Sequence, residues 1–202
     1  MSVDAGELRR RNLRTLAALA ALFLLPLFGA FWLYYATDWR PPRHINHGVL
    51  ISPVRPLPAV QLPRLLDAAH PGTEAVPRRG KWALVYVGDG GCPVECQRAL
   101  YVMRQARLAL NNDMGRVERV FLVRGGCCAT EFLAREHPGL IVLDASGPPG
   151  TELLRSFAGG DAASSVFIID PLGNLMMRYD ATLDPKGLLL DLQKLLRLSH
   201  IG

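Results

Sequence analysis

The sequence lacks the charge pattern by which nucleic-acid-binding proteins are usually recognised. Its formal net charge is +5, but the first fourteen residues hold four arginines and only two acidic residues, so they carry +2 of that charge. The remaining +3 forms no basic stripe and is not interleaved with aromatic residues. Because phosphate recognition needs such a footprint, we expect no nucleic acid among the partners. With 202 residues, of which 50% are hydrophobic, the chain has room for one globular domain and an appendage.

Charge is absent altogether from residues 16–36, LAALAALFLLPLFGAFWLYYA. About 20 apolar residues are needed to cross the hydrocarbon core of a bilayer as a helix, and this run has 21. Pro26 is tolerated in a membrane helix, and Trp32, Tyr34, Tyr35 and Trp39 suit an aromatic belt. The pattern predicts a transmembrane helix over residues 16–36. The alternative is a cleaved signal peptide. The length of the run disfavours it, and so does the absence of a small residue three positions before Ala36.

Basic residues set the expected orientation of this helix. Four arginines precede it, whereas Arg40 and Arg43 follow it, so the positive-inside rule assigns residues 1–15 to a cytoplasmic basic tail. The protein is thus predicted to cross the cytoplasmic (inner) membrane once. Its C-terminal domain would lie on the periplasmic side, where thiol pairs can be oxidised.

Eight prolines between positions 41 and 77 follow the apolar run. Such a density blocks long helices and central strands, so residues 37–80 are predicted to form a Pro-rich tether, with short edge elements only near 48–54 and 60–68. His44, His47 and His70 have no partner at metal-ligand spacing and are interpreted as exposed histidines of this tether.

From residue 81 the hydrophobic pattern alternates between the periods of strands and helices. It predicts strands at 82–87, 117–123, 140–143, 166–169 and 175–179 and helices at 95–111, 130–136, 151–157 and 185–198. The order β, α, β, a variable middle, a hairpin at the DPLGN turn and a closing helix predicts an α/β fold, a thioredoxin-like domain over residues 81–202. A flavodoxin-like sheet is the rival, which the late antiparallel hairpin disfavours.

The chain has only four cysteines, and two of them lie four residues apart in GDGGCPVEC. We expect Cys92 to cap the helix and Pro93 to be its first residue, so that the helix dipole favours the thiolate while Glu95 opposes it. Such a pair can close a disulfide or offer two sulfurs to a soft metal such as Cu(I). The alternative is two small apolar residues in a buried helix. Cys92, nearer the helix start, is predicted to be the more reactive thiol.

The segments GKWALVYVGDGGCPVEC and FIIDPLGNL resemble the Sco/SenC/PrrC family. Its members are membrane-anchored thioredoxin-like proteins that assist copper-centre assembly in cytochrome c oxidase. The resemblance covers residues 80–200 and the anchor. It implies that Cys92 and Cys96 bind copper together with a distant histidine, and that the partner is an oxidase subunit or another oxidase assembly factor.

Two departures from that family pattern concern the expected ligands. Gln97 stands where the family usually has a proline, and the segment GGDAASSV has no histidine near Ala162, where the family places one. The same segment lacks the cis-proline typical of thioredoxin-type oxidoreductases. His137 precedes Pro138 and is interpreted as a cationic helix-end residue rather than a ligand.

Cys127 and Cys128 are the remaining candidates for a third ligand. They follow the second predicted strand, and parallel neighbours would bring their loop to the same end of the sheet as Cys92. We expect one of them to approach Cys92 and Cys96, as a soft metal donor or as an alternative disulfide partner. Otherwise they merely occupy a loop.

Three functions remain open on the sequence alone. The first is a metallochaperone or assembly factor, with metal held by Cys92 and Cys96 and by Cys127 or Cys128. The second is an enzyme, a thiol-disulfide oxidoreductase with Cys92 and Cys96 as its catalytic pair, which keeps a partner's copper-site cysteines reduced. The third is an anchored, non-catalytic interaction module.

Overall fold

The uncharged run forms most of one long helix. The computed structural model describes residues 5–36, 46–66, 72–126, 128–157, 165–180, 185–199 and 201, which fall into two units, Met1–His44 and Ile45–Gly202. In the first unit, helix α1 spans Ala5–Ala36. Its stretch Arg9–Ala36 has a mean hydropathy of 2.3 and is a candidate transmembrane span. The helix begins before residue 16 because arginine and leucine are good helix formers and extend it beyond the apolar run.

A six-stranded mixed sheet organises the second unit, in the order β1-β8-β7-β4-β5-β6. The central strand β4 is buried along its whole length, and it pairs parallel with β5 and antiparallel with β7. A separate two-stranded sheet is formed by β2 and β3. The strands are β1 Val49–Pro56, β2 Val60–Pro63, β3 Thr73–Val76, β4 Trp82–Gly88, β5 Val117–Val123, β6 Ile141–Asp144, β7 Ser165–Ile169 and β8 Asn174–Asp180.

Helices cover both faces of this sheet. Residues of α2, α3 and α5 share a hydrophobic cluster with one face, whereas α4 and the β2–β3 pair pack against the other. The helices are α2 Val94–Leu108, which is followed by a 3-10 turn Asn111–Arg116, α3 Thr130–Glu136, α4 Pro148–Arg155 and α5 Pro185–Leu198. Helix α4 starts three residues earlier than expected, because Pro148 and Pro149 fit a first helical turn.

The predicted thioredoxin-like α/β fold is confirmed, and the late hairpin is its clearest feature. Strands β7 and β8 are antiparallel, which excludes the flavodoxin-like alternative. Asp170 organises the turn between them, since its side chain accepts hydrogen bonds from the backbone N–H groups of Leu172 (2.9 Å) and Asn174 (2.8 Å). The DPLGN segment therefore forms the turn that its composition indicated.

The structure differs from the predicted Pro-rich tether over residues 37–80. Residues 37–45 and 67–71 lie outside the described part, but β1 joins the edge of the main sheet beside β8, and Leu57, Leu62 and Val76 are buried. The prolines are compatible with these strands because an edge strand has backbone positions that need no N–H donor. The second unit thus includes residues that the sequence pattern assigned to a tether.

Candidate redox and metal site

Cys92 lies in the loop that joins β4 to α2, immediately before the helix cap. Its backbone is in the left-handed region, with φ of 47°, and Pro93 is the N-cap, so α2 begins at Val94. The expectation that Cys92 caps the helix with Pro93 as its first residue is therefore wrong by one position. Because Cys92 adopts a left-handed conformation, the extended N-cap residue is the next one, Pro93. The helix therefore begins one residue later than expected.

Cys92 and Cys96 form a disulfide, with a Cα–Cα distance of 5.0 Å. Cys96 lies in the first turn of α2 and faces the core together with Ala99 and Met103. Both cysteines are buried, with 1% and 0% of their surface exposed. The spacing of four residues thus brings the two sulfurs together at the start of the helix, which is one of the outcomes that the sequence left open.

The loop after β5 lies directly against the loop that carries Cys92. Three backbone hydrogen bonds join them: Arg124 N–H to Gly88 O (3.0 Å), Gly90 N–H to Gly125 O (3.0 Å) and Ala129 N–H to Gly90 O (2.9 Å). A side chain at Gly90 would collide with the carbonyl oxygen of Gly126. The two parallel strands therefore end in one hydrogen-bonded surface, and glycine at position 90 permits the close approach.

Cys128 belongs to this surface, whereas Cys127 lies outside the described residues. Cys128 is partly buried and disulfide-bonded, and neither Cys92 nor Cys96 is its partner because these two are bonded to each other. The neighbouring Ala129 bonds to Gly90, so the backbone of Cys128 runs beside the loop of the redox pair. The role of Cys127 or Cys128 as a third ligand stays a prediction.

Gln97, one of the two departures from the family pattern, contacts the pair through its side chain. Its Nε2 donates a hydrogen bond to the carbonyl oxygen of Cys92 at 3.1 Å, and its backbone N–H donates to Pro93 O at 3.0 Å. The amide therefore ties the left-handed residue Cys92 to the first turn of α2. A proline at position 97 would make neither bond.

Charges of both signs surround the end of β4. Burial raises the pKa of Tyr86, Arg124 opposes that rise and Glu95 adds to it, so an arginine and a glutamate both act on this end of the strand. Asp89 is engaged within its own loop, since its Oδ1 accepts the N–H of Gly91 at 2.9 Å. The opposite charges of Arg124 and Glu95 offset one another. Strong stabilisation of a cysteine thiolate would therefore have to come mainly from the dipole at the start of α2.

Among the residues that the structure describes, no histidine joins the cysteine pair in a group that could hold a metal. The position near Ala162 lies outside the described residues, as do His44 and His70. His137 does follow α3, as predicted, but it is 4% exposed, and burial first, then Arg119 and Arg104, lower its pKa. The interpretation of His137 as a cation at a helix end is therefore wrong, because desolvation and two arginines favour its neutral form.

Sequence reasoning missed a buried carboxylate that holds the start of the second unit. Asp191 of α5 is 4% exposed. Its oxygens accept hydrogen bonds from the backbone N–H groups of His47 (2.7 Å) and Gly48 (3.1 Å) and from the hydroxyl of Tyr179. His47 Nδ1 lies 3.3 Å from Asp191 Oδ1, and the side chain of His47 is half-exposed. A lone aspartate inside GLLLDLQKLL was the available signal.

As a metal site, the cysteine pair offers two soft donors. Within the described ranges, no group of three or more His, Cys, Asp or Glu residues is arranged to hold a metal. The reduced pair would present two adjacent thiolates, which suit a soft ion such as Cu(I). The donor set fits copper in type, and a third donor would have to come from elsewhere.

Comparison with known proteins agrees with this geometry. The family described as "Transmembrane-like, thioredoxin-like, C-terminal domain" matches residues 82–199. The chain belongs to this family. The matched region begins at the first residue of β4 and ends just after α5, and it includes both cysteines of the pair. No curated protein matches the sequence significantly.

Several solved structures of Sco proteins share the fold. The apo Sco1 protein of Thermus thermophilus is 18% identical with a TM-score of 0.61, and the match covers 77% of this chain and 100% of that one. ScoI of Arabidopsis thaliana with copper bound is 23% identical with a TM-score of 0.57, over 71% and 99%. BsSco, from the Sco family of cytochrome c oxidase assembly proteins and described with a disulfide switch, is 13% identical with a TM-score of 0.55, over 74% and 99%. The resemblance to the Sco/SenC/PrrC family is thereby confirmed for the fold.

Proposed function

We propose that this protein assists the assembly of a copper centre in cytochrome c oxidase, from the outer face of the cytoplasmic membrane. Helix α1 is the anchor, and the thioredoxin-like domain carries Cu(I) as cargo. The Cys92–Cys96 pair at the start of α2 is the observation that carries the proposal. The likeness to the copper-bound Sco fold supports it, and the partner is an oxidase subunit or another assembly factor.

Copper binding requires that the Cys92–Cys96 bridge and the disulfide of Cys128 first be reduced by an external thiol reductant. The resulting thiols ionise when they coordinate the metal, so uptake of Cu(I) releases protons and the affinity falls as the pH is lowered. Cys127 or Cys128 provides the third soft donor on this proposal, in place of the missing histidine. The backbone bond between Ala129 and Gly90 supports this, because it keeps the loop of Cys128 beside the pair.

A Cu(I) titration of the reduced full chain in detergent micelles tests the proposal. We expect one equivalent to bind, with affinity lowered at least tenfold by Cys92→Ser or Cys96→Ser. The double change of Cys127 and Cys128 to serine should weaken binding about as much as Cys96→Ser. Met114→Leu is the matched control, since Met114 is an exposed sulfur away from the pair. Equal affinity in all variants would contradict copper binding at this site.

Thiol-disulfide exchange is the second candidate function, and the closed Cys92–Cys96 disulfide favours it. In the reduced protein, one thiolate of the pair attacks a disulfide of the partner's copper-site cysteines and forms a mixed disulfide. The second thiolate then displaces the partner's other sulfur. Two electrons and two protons pass to the partner, whose dithiol is released, and a dithiol reductant must regenerate the pair.

The equilibrium of the pair with glutathione distinguishes these functions. A protein that keeps partner cysteines reduced should be more reducing than glutathione and should reduce a model disulfide, and Cys92→Ser should abolish both properties. Copper binding without reductase activity would support the assembly factor alone. Neither copper binding nor reductase activity in the natural protein would leave the interaction module.

The proposed orientation has its own test. A reporter that is active only outside the cytoplasm, fused after Gly202, should be active, because the arginines before the apolar run keep the N-terminal tail inside. Activity of a cytoplasmic reporter at the same position would refute the periplasmic assignment and the redox environment that it implies.

A further inference from the structure

Four arginines lie in the first ten residues of α1, directly before its uncharged run. Arg9, Arg10, Arg11 and Arg14 are all exposed. Glu7 is the only acidic residue of this helix, so these ten residues carry a net charge of +3, from four arginines and one glutamate. The helix therefore begins with a cationic segment, far in sequence from the cysteine pair.

The helical conformation decides how far the arginines lie from the apolar run. A helix rises about 1.5 Å per residue, so Arg14, Arg11 and Arg10 lie about 3, 7.5 and 9 Å before Leu16 along the axis. An extended chain, at roughly 3.3 Å per residue, would place Arg10 about 20 Å away. The headgroup layer on each side of a bilayer is about 5 to 8 Å thick, and an arginine stem can lie along the helix with its guanidinium in the polar layer. The helix thus holds these arginines at the level of the lipid phosphates.

Arg10, Arg11 and Arg14 also share one side of α1. Each residue turns a helix by about 100°, so these three positions fall within a sector of about 100°. A guanidinium donates two parallel N–H groups to the oxygens of a phosphate, and it keeps its charge at any physiological pH. Three neighbouring guanidinium groups can therefore surround one phosphodiester.

The opposite end of α1 has a different character. Its last turn contains no basic residue, and the exposed aromatic residues Trp32, Tyr34 and Tyr35 lie there instead. Aromatic rings of this kind suit a membrane interface of either charge. Within α1, affinity for anionic headgroups is therefore expected at the N-terminal end.

We propose that Arg10, Arg11 and Arg14 bind the phosphate of an anionic phospholipid, in the leaflet that faces the N-terminal end of α1. The anionic headgroup is favoured because a zwitterionic one carries a positive charge that offsets its phosphate. The inference rests on the membrane anchor of the proposed function. It adds a lipid-binding surface that requires neither copper nor the cysteines.

Phosphatidylglycerol is the probe, and phosphatidylcholine is the neutral comparison. The full chain in micelles of an uncharged detergent is titrated with each lipid at pH 7, and native mass spectrometry counts the lipids that remain bound. We expect phosphatidylglycerol to bind saturably, with a dissociation constant about tenfold or more below that of phosphatidylcholine. The triple variant Arg10→Gln/Arg11→Gln/Arg14→Gln should lose this preference. Lysine at the same three positions keeps the charge and should retain most of it.

Arg79→Gln/Arg135→Gln/Arg155→Gln is the matched control, because it removes the same charge from exposed positions of the second unit. It should leave the preference for phosphatidylglycerol unchanged. Equal binding of both lipids, an equal loss in the control, or displacement of the lipid by soluble glycerol phosphate would overturn the inference. The Cu(I) affinity of the helix variant should stay at the natural value, so a failure of lipid binding is distinguishable from a failure of copper binding. Release of the natural chain from membranes by alkaline carbonate would refute the anchor and this inference with it.

Discussion

The loops around Cys92 and the contacts around Asp191 both join segments that are distant in sequence, but different bonds hold them. The cysteine loops are joined by backbone N–H and carbonyl groups, and glycine permits their approach. Asp191 instead gathers two backbone amides and a tyrosine hydroxyl around one buried charge. The first arrangement does not use the cysteine side chains, whereas the second depends on one side chain being ionised.

The largest effect is expected from breaking the backbone arrangement at Gly90. A Gly90→Val side chain would overlap the Gly126 carbonyl, and backbone cannot move aside as a flexible side chain does. We expect a loss of about 3 kcal/mol in the free energy of unfolding, at the upper end of overpacking costs. Urea unfolding measures it. Gly125→Ala should change little, since a Cβ there meets nothing within 4 Å, and a similar loss in both variants would refute the specific collision.

Removing the charge of Asp191 should be next in size. Burial by itself would raise the pKa of Asp191, but hydrogen bonds from Tyr179, Gly48 and His47 outweigh burial and lower it. Asp191→Asn places an amide among these donors, so we expect a loss of about 2 to 3 kcal/mol at pH 7, in the range of bonds to charged groups. Asp113→Asn is the control, since Asp113 is half-exposed in a surface ion pair.

The same carboxylate predicts a pH dependence. Because its folded pKa is below the unfolded value near 3.9, its contribution is present above that value and is lost as the pH falls through the folded pKa. The stability difference between the natural protein and Asp191→Asn should therefore shrink below about pH 4. A difference that stays constant down to pH 2 would show that Asp191 acts through shape alone.

Reduction of the cysteine pair should have an intermediate effect. A bridge that closes so short a loop contributes about 2 kcal/mol in the chain-entropy account. Unfolding is measured with and without reductant in the natural protein and in the Cys92→Ser/Cys96→Ser double variant, which retains Cys127 and Cys128. The extra loss in the natural protein is the contribution of the bridge between Cys92 and Cys96. An equal loss in both proteins would assign the effect to Cys128 instead.

The smallest effect is expected from Gln97→Ala. It removes the bond to the Cys92 carbonyl but keeps the backbone bonds between the loops, so we expect a loss of about 1 kcal/mol. Gln193→Ala makes the same change at an exposed position of α5 and should cost less than half as much. If the two variants cost the same, the side chain of Gln97 does not stabilise the loop.

Local patterns were sufficient for much of the fold and for the pair. The α2 face that includes Cys96, Ala99 and Met103 follows from a spacing of three and four residues, and the β7–β8 turn follows from Asp, Pro and Gly chemistry. The Cys92–Cys96 bridge joins residues only four apart in the sequence, so it too is a short-range feature. Periodicity and turn chemistry depend on neighbours along the chain, and a sequence displays those directly.

Only the tertiary structure decided which distant groups meet. It placed β1 beside β8 and gave Asp191 its donors from residues 47 and 48. It buried the Arg119 guanidinium beside Pro138, where none of the described acidic residues pairs with it. It also set the left-handed turn at Cys92, which shifted the helix cap to Pro93. Such contacts depend on burial and on strand order, because a charge or an amide is satisfied only by what the folded chain brings within about 3 Å of it.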